Sequence, residues 1–176
     1  MNIEIRYFRD SDADDVSTIV LRNLREVNSK DYPSEVIEDI ASCSLPEHYI
    51  SHSRQQYRET FVAETEGKVV GTASLARDNR TTDEEYICLT VFVHPEYHGK
   101  GIGRALMERI EDAACGKGAK VLHVPASITA LPFYRKLGYI EDATAQFNLK
   151  GHPISMTKAL GEPNAKPAQQ QPASRP

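Results

Sequence analysis

The chain of 176 residues is long enough for one domain with a sizeable core. Its composition, with 40% hydrophobic and 26% charged residues, indicates a soluble globular protein. A formal net charge of −4 without a basic run argues against nucleic-acid binding, and no apolar stretch approaches the length of a membrane span. Three cysteines, an odd number, and a charged N-terminus unlike a signal peptide predict reduced thiols in a cytoplasmic protein.

The first half of the chain predicts a strand, three helices and a β-hairpin from the spacing of its apolar residues. The hairpin is expected around Glu66–Gly67, where two alternating segments meet. These elements are a strand at 3–8, a helix carrying the apolar stripe of 16–27, short helices from Ser34 to residue 40 and at 47–59, and strands at 60–66 and 68–76.

Two groups of polar residues in this half are candidates for metal binding. The acidic run 10–15 lacks the spacing, glycine and glutamate of a calcium loop, so capping of the following helix is the better interpretation. His48 and His52 stand four apart on a predicted helix, but the sequence offers no third ligand beside them. We therefore predict no metal site.

A strand, a glycine-rich turn and a helix follow one another from residue 87 to residue 118. Ile87 to Val93 is almost entirely apolar, Pro95 ends the strand, and helical spacing begins at Ile102. Glycines at alternate positions, 99, 101 and 103, leave backbone N–H groups uncovered at the start of that helix. A tight turn alone would need fewer glycines, so an anion site is favoured, with Lys100 and Arg104 beside it.

The C-terminal part predicts a strand at 120–124, closed by Pro125, and a short helix at 130–137 that ends at Gly138. Residues 139–149 and 154–159 predict a closing hairpin. From Gly161 to residue 176 the sequence is rich in proline and glutamine, so we predict a disordered tail there.

Two motifs in the second half resemble those of the GCN5-related N-acetyltransferases (GNAT family). His98-Gly-Lys-Gly-Ile-Gly103, after Val91-x-Val-x-Pro95, resembles motif A, although His98 stands where Gln or Arg is usual. Phe133-Tyr-Arg-Lys-Leu-Gly-Tyr139 resembles motif B. The resemblance covers residues 1–160 and implies a single α/β domain: a mixed, mostly antiparallel sheet flanked by helices, with splayed central strands.

The resemblance also implies a site for acetyl-CoA, with Tyr134 as the general acid that protonates the departing thiolate. Pantetheine would pair with the first splayed strand, and pyrophosphate would bind the glycine turn. The residues implied in cofactor binding are Val91, Phe92, Val93, His98, Gly99, Lys100, Gly101, Ile102, Gly103, Arg104 and Ser127.

The group that accepts the proton of the amine is less clearly marked. Many GNAT proteins carry a glutamate at the position of Ile87, which has no acid-base chemistry. Glu85 lies two residues earlier on the same strand face, and we take it as the candidate base. A solvated strand-end charge explains Glu85 equally well, and His123 or a chain of water molecules remain alternatives.

The expected function is direct transfer of acetyl from acetyl-CoA to a primary amine of a small molecule or peptide, by a monomer or homodimer. No cysteine lies in either motif to form an acyl-enzyme. The resemblance places the acceptor near the loop after the first helix, where Asn28, Asp31 and Tyr32 offer hydrogen bonds, although ordinary turn chemistry also explains them. The alternative is a binding module that senses acetyl-CoA without turnover.

Overall fold

The computed structural model describes residues 2–77, 85–144 and 153–161, which form seven strands and five α-helices. The strands are β1 (Glu4–Tyr7), β2 (Arg58–Thr65), β3 (Lys68–Arg77), β4 (Glu85–Val93), β5 (Val121–Ala126), β6 (Ile140–Glu141) and β7 (Ile154–Ala159). The helices are α1 (Ala13–Glu26), α2 (Ser34–Ala41), α3 (Pro46–Ser53), α4 (Ile102–Gly116) and α5 (Leu131–Lys136).

The strands form one mixed sheet in the order β1-β2-β3-β4-β5-β7-β6. Neighbouring strands are antiparallel except β4 and β5, which are joined through α4 and run parallel. The prediction of a single α/β domain with a mixed, mostly antiparallel sheet is confirmed.

Each face of the sheet is covered by its own layer of helices. On one face the buried stripe of α4, including Leu106 and Ile110, packs with Phe61 and Leu75 of the sheet. On the other face α1 and its neighbours bury Val16, Leu24 and other apolar residues against the sheet. The alternation of side chains along β2 supplies both layers, because Phe61 faces α4 and the next residue faces α1.

Two boundaries predicted before the closing hairpin are wrong. Helix α3 ends at Ser53 rather than near residue 59, because β2 has already begun at Arg58. Strand β5 continues through Pro125, which pairs with Ser155 of β7. Pairing between β5 and β4 is recorded only up to His123, so the missing N–H of Pro125 breaks no bond on that side.

Several predictions concern residues outside the described ranges. They include most of the closing hairpin (145–152) and the tail from 162 onward. The described part of the hairpin pairs Ile140 and Glu141 with β7 in the antiparallel sense predicted, but the strand ends at Glu141, earlier than the prediction of 139–149. Among the described residues no helix has the length and apolarity needed to cross a membrane, and no group of three potential ligands forms a metal site.

Candidate active site

The sheet opens between β4 and β5. The two strands pair only from Glu85 to Ile87, opposite Val121 to His123, although β4 continues to Val93 and β5 to Ala126. Beyond that point β5 is paired with β7 alone. The splayed central strands implied by the motifs are therefore present, and they leave a gap in the middle of the sheet.

A bulge at Thr90 shapes the β4 side of this gap. The register with β3 jumps from Leu89, opposite Ser74, to Phe92, opposite Thr72, and Thr90 has a φ of +55°. The extra residue reverses the alternation of β4, so that Cys88 before it and Val91 after it both pack on the α4 side. A β-branched residue with positive φ is strained, and such strain is concentrated at functional sites.

A cavity of about 910 Å³ passes through the gap. On one side of the sheet it is lined by the glycine turn and α5, and on the other by α1, α3 and β2. Its polar and charged lining residues are Asn23, Asn28, Tyr32, Cys43, Ser44, Tyr49, His52, Arg58, Cys88, Thr90, Tyr97, His98, Arg104, Ser127, Thr129, Tyr134 and Lys136. No Asp or Glu lines it within the described ranges.

The three glycines of the turn have different structural roles. Gly99 and Gly101 adopt φ values of +74° and +84°, which other residues rarely tolerate. A Cβ on Gly103 would lie 3.1 Å from Cζ of Phe133, so this position must be small for α4 to approach α5. Backbone conformation thus accounts for Gly99 and Gly101 and close packing for Gly103, and the turn remains open to a ligand.

The start of α4 presents unpaired backbone donors to the cavity. The first bond of the helix runs from the Ala105 N–H to the Gly101 carbonyl at 3.0 Å, so the N–H groups of residues 102–104 have no acceptor within the helix. Arg104 lines the cavity beside them. Lys100 instead places its ammonium 4.5 Å from the ring centre of Tyr97 and does not line the cavity.

The backbone of β4 offers the gap a short set of hydrogen-bonding groups. The His94 N–H bonds to Val70 of β3, so the polar groups of His94 and Phe92 face β3 and those of Val91 and Val93 face the gap. The backbone N–H and C=O of Phe92, which the motifs implied in cofactor binding, therefore face β3 rather than the gap. Phe92 contributes its side chain to the cavity wall instead.

Tyr134 projects from α5 into the cavity, with only 4% of its surface exposed. Its ring makes edge-on contacts with Phe133 and Tyr139, at centroid distances of 5.0 and 5.7 Å. Burial raises the pKa of Tyr134 well above its ordinary value, with a smaller contribution from Cys88. The phenol is therefore protonated across the working range of pH and can act as a proton donor.

Cys88 also lines the cavity, a placement that the motifs do not reveal. Burial raises the pKa of its thiol, with Glu111 adding to the effect, and the thiol lies 3.8 Å from the Met107 sulfur. A thiol held in its protonated form is a poor nucleophile. The three cysteines are all unpaired, in agreement with the expected reduced thiols.

Glu85, the candidate base, does not line the cavity. Its carboxylate lies 3.2 Å from Nε2 of His123, the other candidate from the sequence, because the parallel register places the two on the same face. His123 is buried and likewise absent from the cavity wall. The structure thus joins the two candidates in one hydrogen-bonded pair at the closed end of the gap.

The residues expected to bind the acceptor lie at one edge of the cavity. Asn28 and Tyr32 line it, and the Tyr32 hydroxyl accepts a hydrogen bond from the Ile128 N–H at 3.1 Å. The Asp31 carboxylate accepts a hydrogen bond from the Thr129 hydroxyl and is not part of the lining. The loop after α1 is in this way fastened to the segment after β5, next to Ser127, which lines the cavity.

A family model for the acetyltransferase (GNAT) domain matches residues 56–141, which contain the splayed strands, the glycine turn and Tyr134. The solved structure of PaiA N-acetyltransferase from Thermoplasma acidophilum, in complex with coenzyme A, has the same fold, with a TM-score of 0.75. That match covers 90% of this chain and 99% of the other at 22% identity. Residues 56–141 therefore form a GNAT acetyltransferase domain.

Other GNAT proteins are similar over different lengths. A GCN5-related N-acetyltransferase structure from Rhodopseudomonas palustris matches 91% of this chain and 97% of its own, at 26% identity and a TM-score of 0.74. N-alpha-acetyltransferase RimI of Mycobacterium tuberculosis (strain ATCC 25618 / H37Rv) is 40% identical over 78 residues, 44% of this chain. The chain spans about half of that relative's length, 49%.

Two residues that line the cavity, Arg58 and His52, were not identified as site residues from the sequence. Arg58 was assigned to the predicted third helix, although it belongs to β2 and alternates with Thr60 and Val62 along that strand. Extending that alternation by one step would have placed an arginine on the inner face of the sheet. His52 was considered only as a possible metal ligand beside His48, whereas it lines the cavity and is partly buried.

Proposed function

We propose that the protein transfers the acetyl group of acetyl-CoA to a primary amine of a small molecule or peptide. The observation that carries this proposal is the cavity through the sheet, which joins the open glycine turn on one face to the α1–α3 layer on the other. Tyr134 lies on its wall. A thioester at the gap would be reached by an amine entering from the opposite face.

The residues of the cavity fit acetyl-CoA as co-substrate. The free N–H groups at the start of α4, with Arg104, suit a pyrophosphate. The gap-facing groups of Val91 and Val93 suit the two amides of pantetheine. Ser127 and the ring of Phe133 form the opposite wall. The presence of coenzyme A in the PaiA structure of the same fold supports this assignment.

In the proposed reaction the amine nitrogen attacks the thioester carbonyl carbon, and the carbon–sulfur bond breaks. Tyr134 gives its proton to the departing thiolate and forms the free thiol of CoA. The raised pKa of Tyr134 does not oppose this step, because a thiolate released into the same apolar cavity also gains proton affinity. Direct transfer is favoured because Cys88 is held as a neutral thiol.

The amine must also lose a proton, and two groups are placed to receive it. The Glu85–His123 pair remains the proposed base and would act through water, since neither residue lines the cavity. His52 is the alternative on the wall itself. Burial, together with the charges of Arg58 and His48, lowers the pKa of His52, so its imidazole is neutral near pH 7 and able to accept a proton.

The proposed function is tested by following free thiol release from acetyl-CoA across a panel of amino acids, polyamines and short peptides. We expect release above the amine-free rate with at least one class of amine. Stabilisation of the protein by acetyl-CoA, measured as a rise in Tm, is the independent control for cofactor binding. A Tm shift without thiol release for any amine would instead indicate a module that senses acetyl-CoA. The presence of Ile87 in place of the usual glutamate supports this alternative.

A further inference from the structure

Arg58 is the cation on the far side of the cavity from the glycine turn. It begins β2, shares its inward face with Thr60 and Val62, and lines the cavity beside His52. One guanidinium nitrogen, Nη2, donates to the Thr90 hydroxyl at 3.0 Å. The Nε atom is buried and has no hydrogen-bond partner in the structure.

No carboxylate pairs with Arg58 among the described residues. Burial lowers the pKa of its guanidinium, an effect that the nearby Tyr49 and Tyr57 only partly offset. Other partly buried cations of this chain are paired: Arg6 binds Asp12 and Glu64, and Lys158 binds Glu111. A buried charge without a counter-ion costs free energy of folding, and its retention indicates a ligand that supplies the counter-ion.

The pyrophosphate of acetyl-CoA is not that counter-ion. It is assigned to the start of α4, on the opposite face of the sheet from Arg58, where Arg104 supplies positive charge. The part of the cavity around Arg58 is lined by Tyr49, Leu89 and other uncharged side chains. An anion bound there belongs to the second substrate.

We propose that Arg58 binds a carboxylate of the acceptor, so that the acceptor is a small amine carrying a carboxylate, such as a free amino acid. This inference rests on the proposed acetyl transfer. The guanidinium fork matches a carboxylate in shape and charge, and the Thr90 hydroxyl fixes its orientation. The absence of Asp and Glu from the described lining argues against a polyamine, whose second cation would meet Arg58 without any compensating acid.

The same cation also favours the reactive form of the acceptor. An ammonium group near a buried positive charge loses its proton more readily, because the charged form is disfavoured. In the free acceptor the carboxylate stabilises the nearby ammonium group. Arg58 would cancel that stabilisation by pairing with the carboxylate, so the pKa of the amine would be lower in the bound acceptor than in the free one. This explains how a site without a carboxylate in its described wall can still receive a neutral amine.

The test compares each of several α-amino acids with its own carboxamide, which retains the amine and side chain but removes the negative charge. We expect the acid form to have a kcat/KM roughly 10- to 100-fold higher, the scale of a charge-assisted hydrogen bond. The carboxamide has the less basic amine, so a larger fraction of it is deprotonated and reactive at a given pH. This difference favours the carboxamide and therefore works against the result that the proposal predicts. A second set of acceptors, dipeptide amides with an acidic side chain at the second residue, tests whether a peptide can supply the carboxylate instead.

Variants assign the preference to Arg58. Arg58→Met should raise KM for the acid roughly 10-fold or more with a smaller change in kcat, and it should abolish the acid-over-amide preference. Arg25→Met removes an exposed cation that does not line the cavity, and it should leave the preference intact. Acetyl-CoA should raise Tm equally in the wild type and both variants.

A stability measurement separates binding from a structural role. Loss of an uncompensated buried charge should leave the Tm of Arg58→Met unchanged or higher, whereas a structural arginine would lower it. Acetyl transfer with equal use of acid and amide, or a preference that survives in Arg58→Met, would overturn the inference and leave the transferase intact. A preference confined to the acidic dipeptide amides would overturn the small-acceptor assignment. Absence of turnover with every amine would overturn the proposed function itself.

Discussion

The imidazole Nε2 of His98 lies 2.8 Å from the carbonyl oxygen of Val93. Since a carbonyl can only accept, Nε2 carries the hydrogen and donates it. The amide of Asn23 donates to the same oxygen, also at 2.8 Å. His98, the residue that departs from the usual motif, therefore fastens the glycine turn to the end of β4.

This contact predicts the effect of replacing His98. Gln has an amide donor and restores the usual residue, so His98→Gln should keep or improve acetyl-CoA affinity. His98→Ala removes the donor and should weaken binding modestly, by about fivefold, the scale of one exposed hydrogen bond. Titration calorimetry with acetyl-CoA measures both. A large loss in His98→Gln would assign this histidine a role that glutamine cannot perform.

Tyr134→Phe tests the proposed general acid. The substitution keeps the ring that packs on Phe133 and Tyr139, so folding and acetyl-CoA binding should change little. The single-turnover rate should fall by roughly 100-fold or more, the usual scale of a lost proton donor. Single-turnover measurements are needed because slow product release would mask slower chemistry. An unchanged rate would reduce Tyr134 to a packing residue.

Cys88→Ala tests direct transfer. Because burial keeps this thiol protonated, the variant should retain most of its single-turnover rate, with a loss of stability of about 1–2 kcal/mol from the small void. An acyl-enzyme would give the opposite result, a collapse of turnover. Mass spectrometry of the wild type with acetyl-CoA and no amine would then show acetylated Cys88.

The glycine turn can be tested against a matched glycine elsewhere. Gly101→Ala and Gly67→Ala both place a side chain at positive φ, +84° and +74°, with nothing within 4 Å of the new Cβ. Each should cost about 1 kcal/mol of stability. Only Gly101→Ala should also weaken acetyl-CoA binding, because it alone covers the donors of α4. Equal affinities in the two variants would contradict the anion site.

Acid stability is predicted from Arg6 and Asp12, which join β1 to the start of α1 through bonds of 2.7 and 2.9 Å. Burial alone would raise the pKa of Asp12, but hydrogen bonds from Arg6 and the Arg9 backbone hold it below the ordinary value. A lowered pKa means that this stabilisation is present at neutral pH and is lost as the pH falls through the folded-state pKa, below the ordinary 3.8.

Asp12→Asn should therefore lower the free energy of unfolding by about 2 kcal/mol or more at pH 7. The difference from the wild type should shrink below about pH 4, where Asp12 of the unfolded wild type begins to bind a proton, and vanish below the folded-state pKa. Urea denaturation across this range measures it. Glu38→Gln, which breaks an exposed pair with Arg25, is the control and should change stability little at any pH. A constant difference between Asp12→Asn and the wild type would contradict the linkage.

The sequence predicted the features whose chemistry is local. The glycine turn and the Phe133–Tyr134 pair each lie within a few residues, so their spacing alone indicates the elements that carry them. Arg58 was missed because it was assigned to the preceding helix, and its contact with Thr90, 32 residues away, depends on a bulge that no local pattern marks. Glu85 and His123 were both named, yet their contact depends on a parallel register between strands 38 residues apart.

The early end of pairing between β4 and β5 gives this sheet an edge inside the molecule. Exposed edges tend to recruit strands from other proteins, and most folds cover them. Here Asn23 and His98 already occupy the Val93 carbonyl, which leaves the Val91 N–H, the Val91 carbonyl and the Val93 N–H. Three groups are too few to template a β-strand but enough for a ligand with two amides. The short length of the edge thus favours such a ligand over a β-strand of another protein. Binding of acetyl-CoA should be visible as slowed hydrogen exchange at the Val91 and Val93 amides.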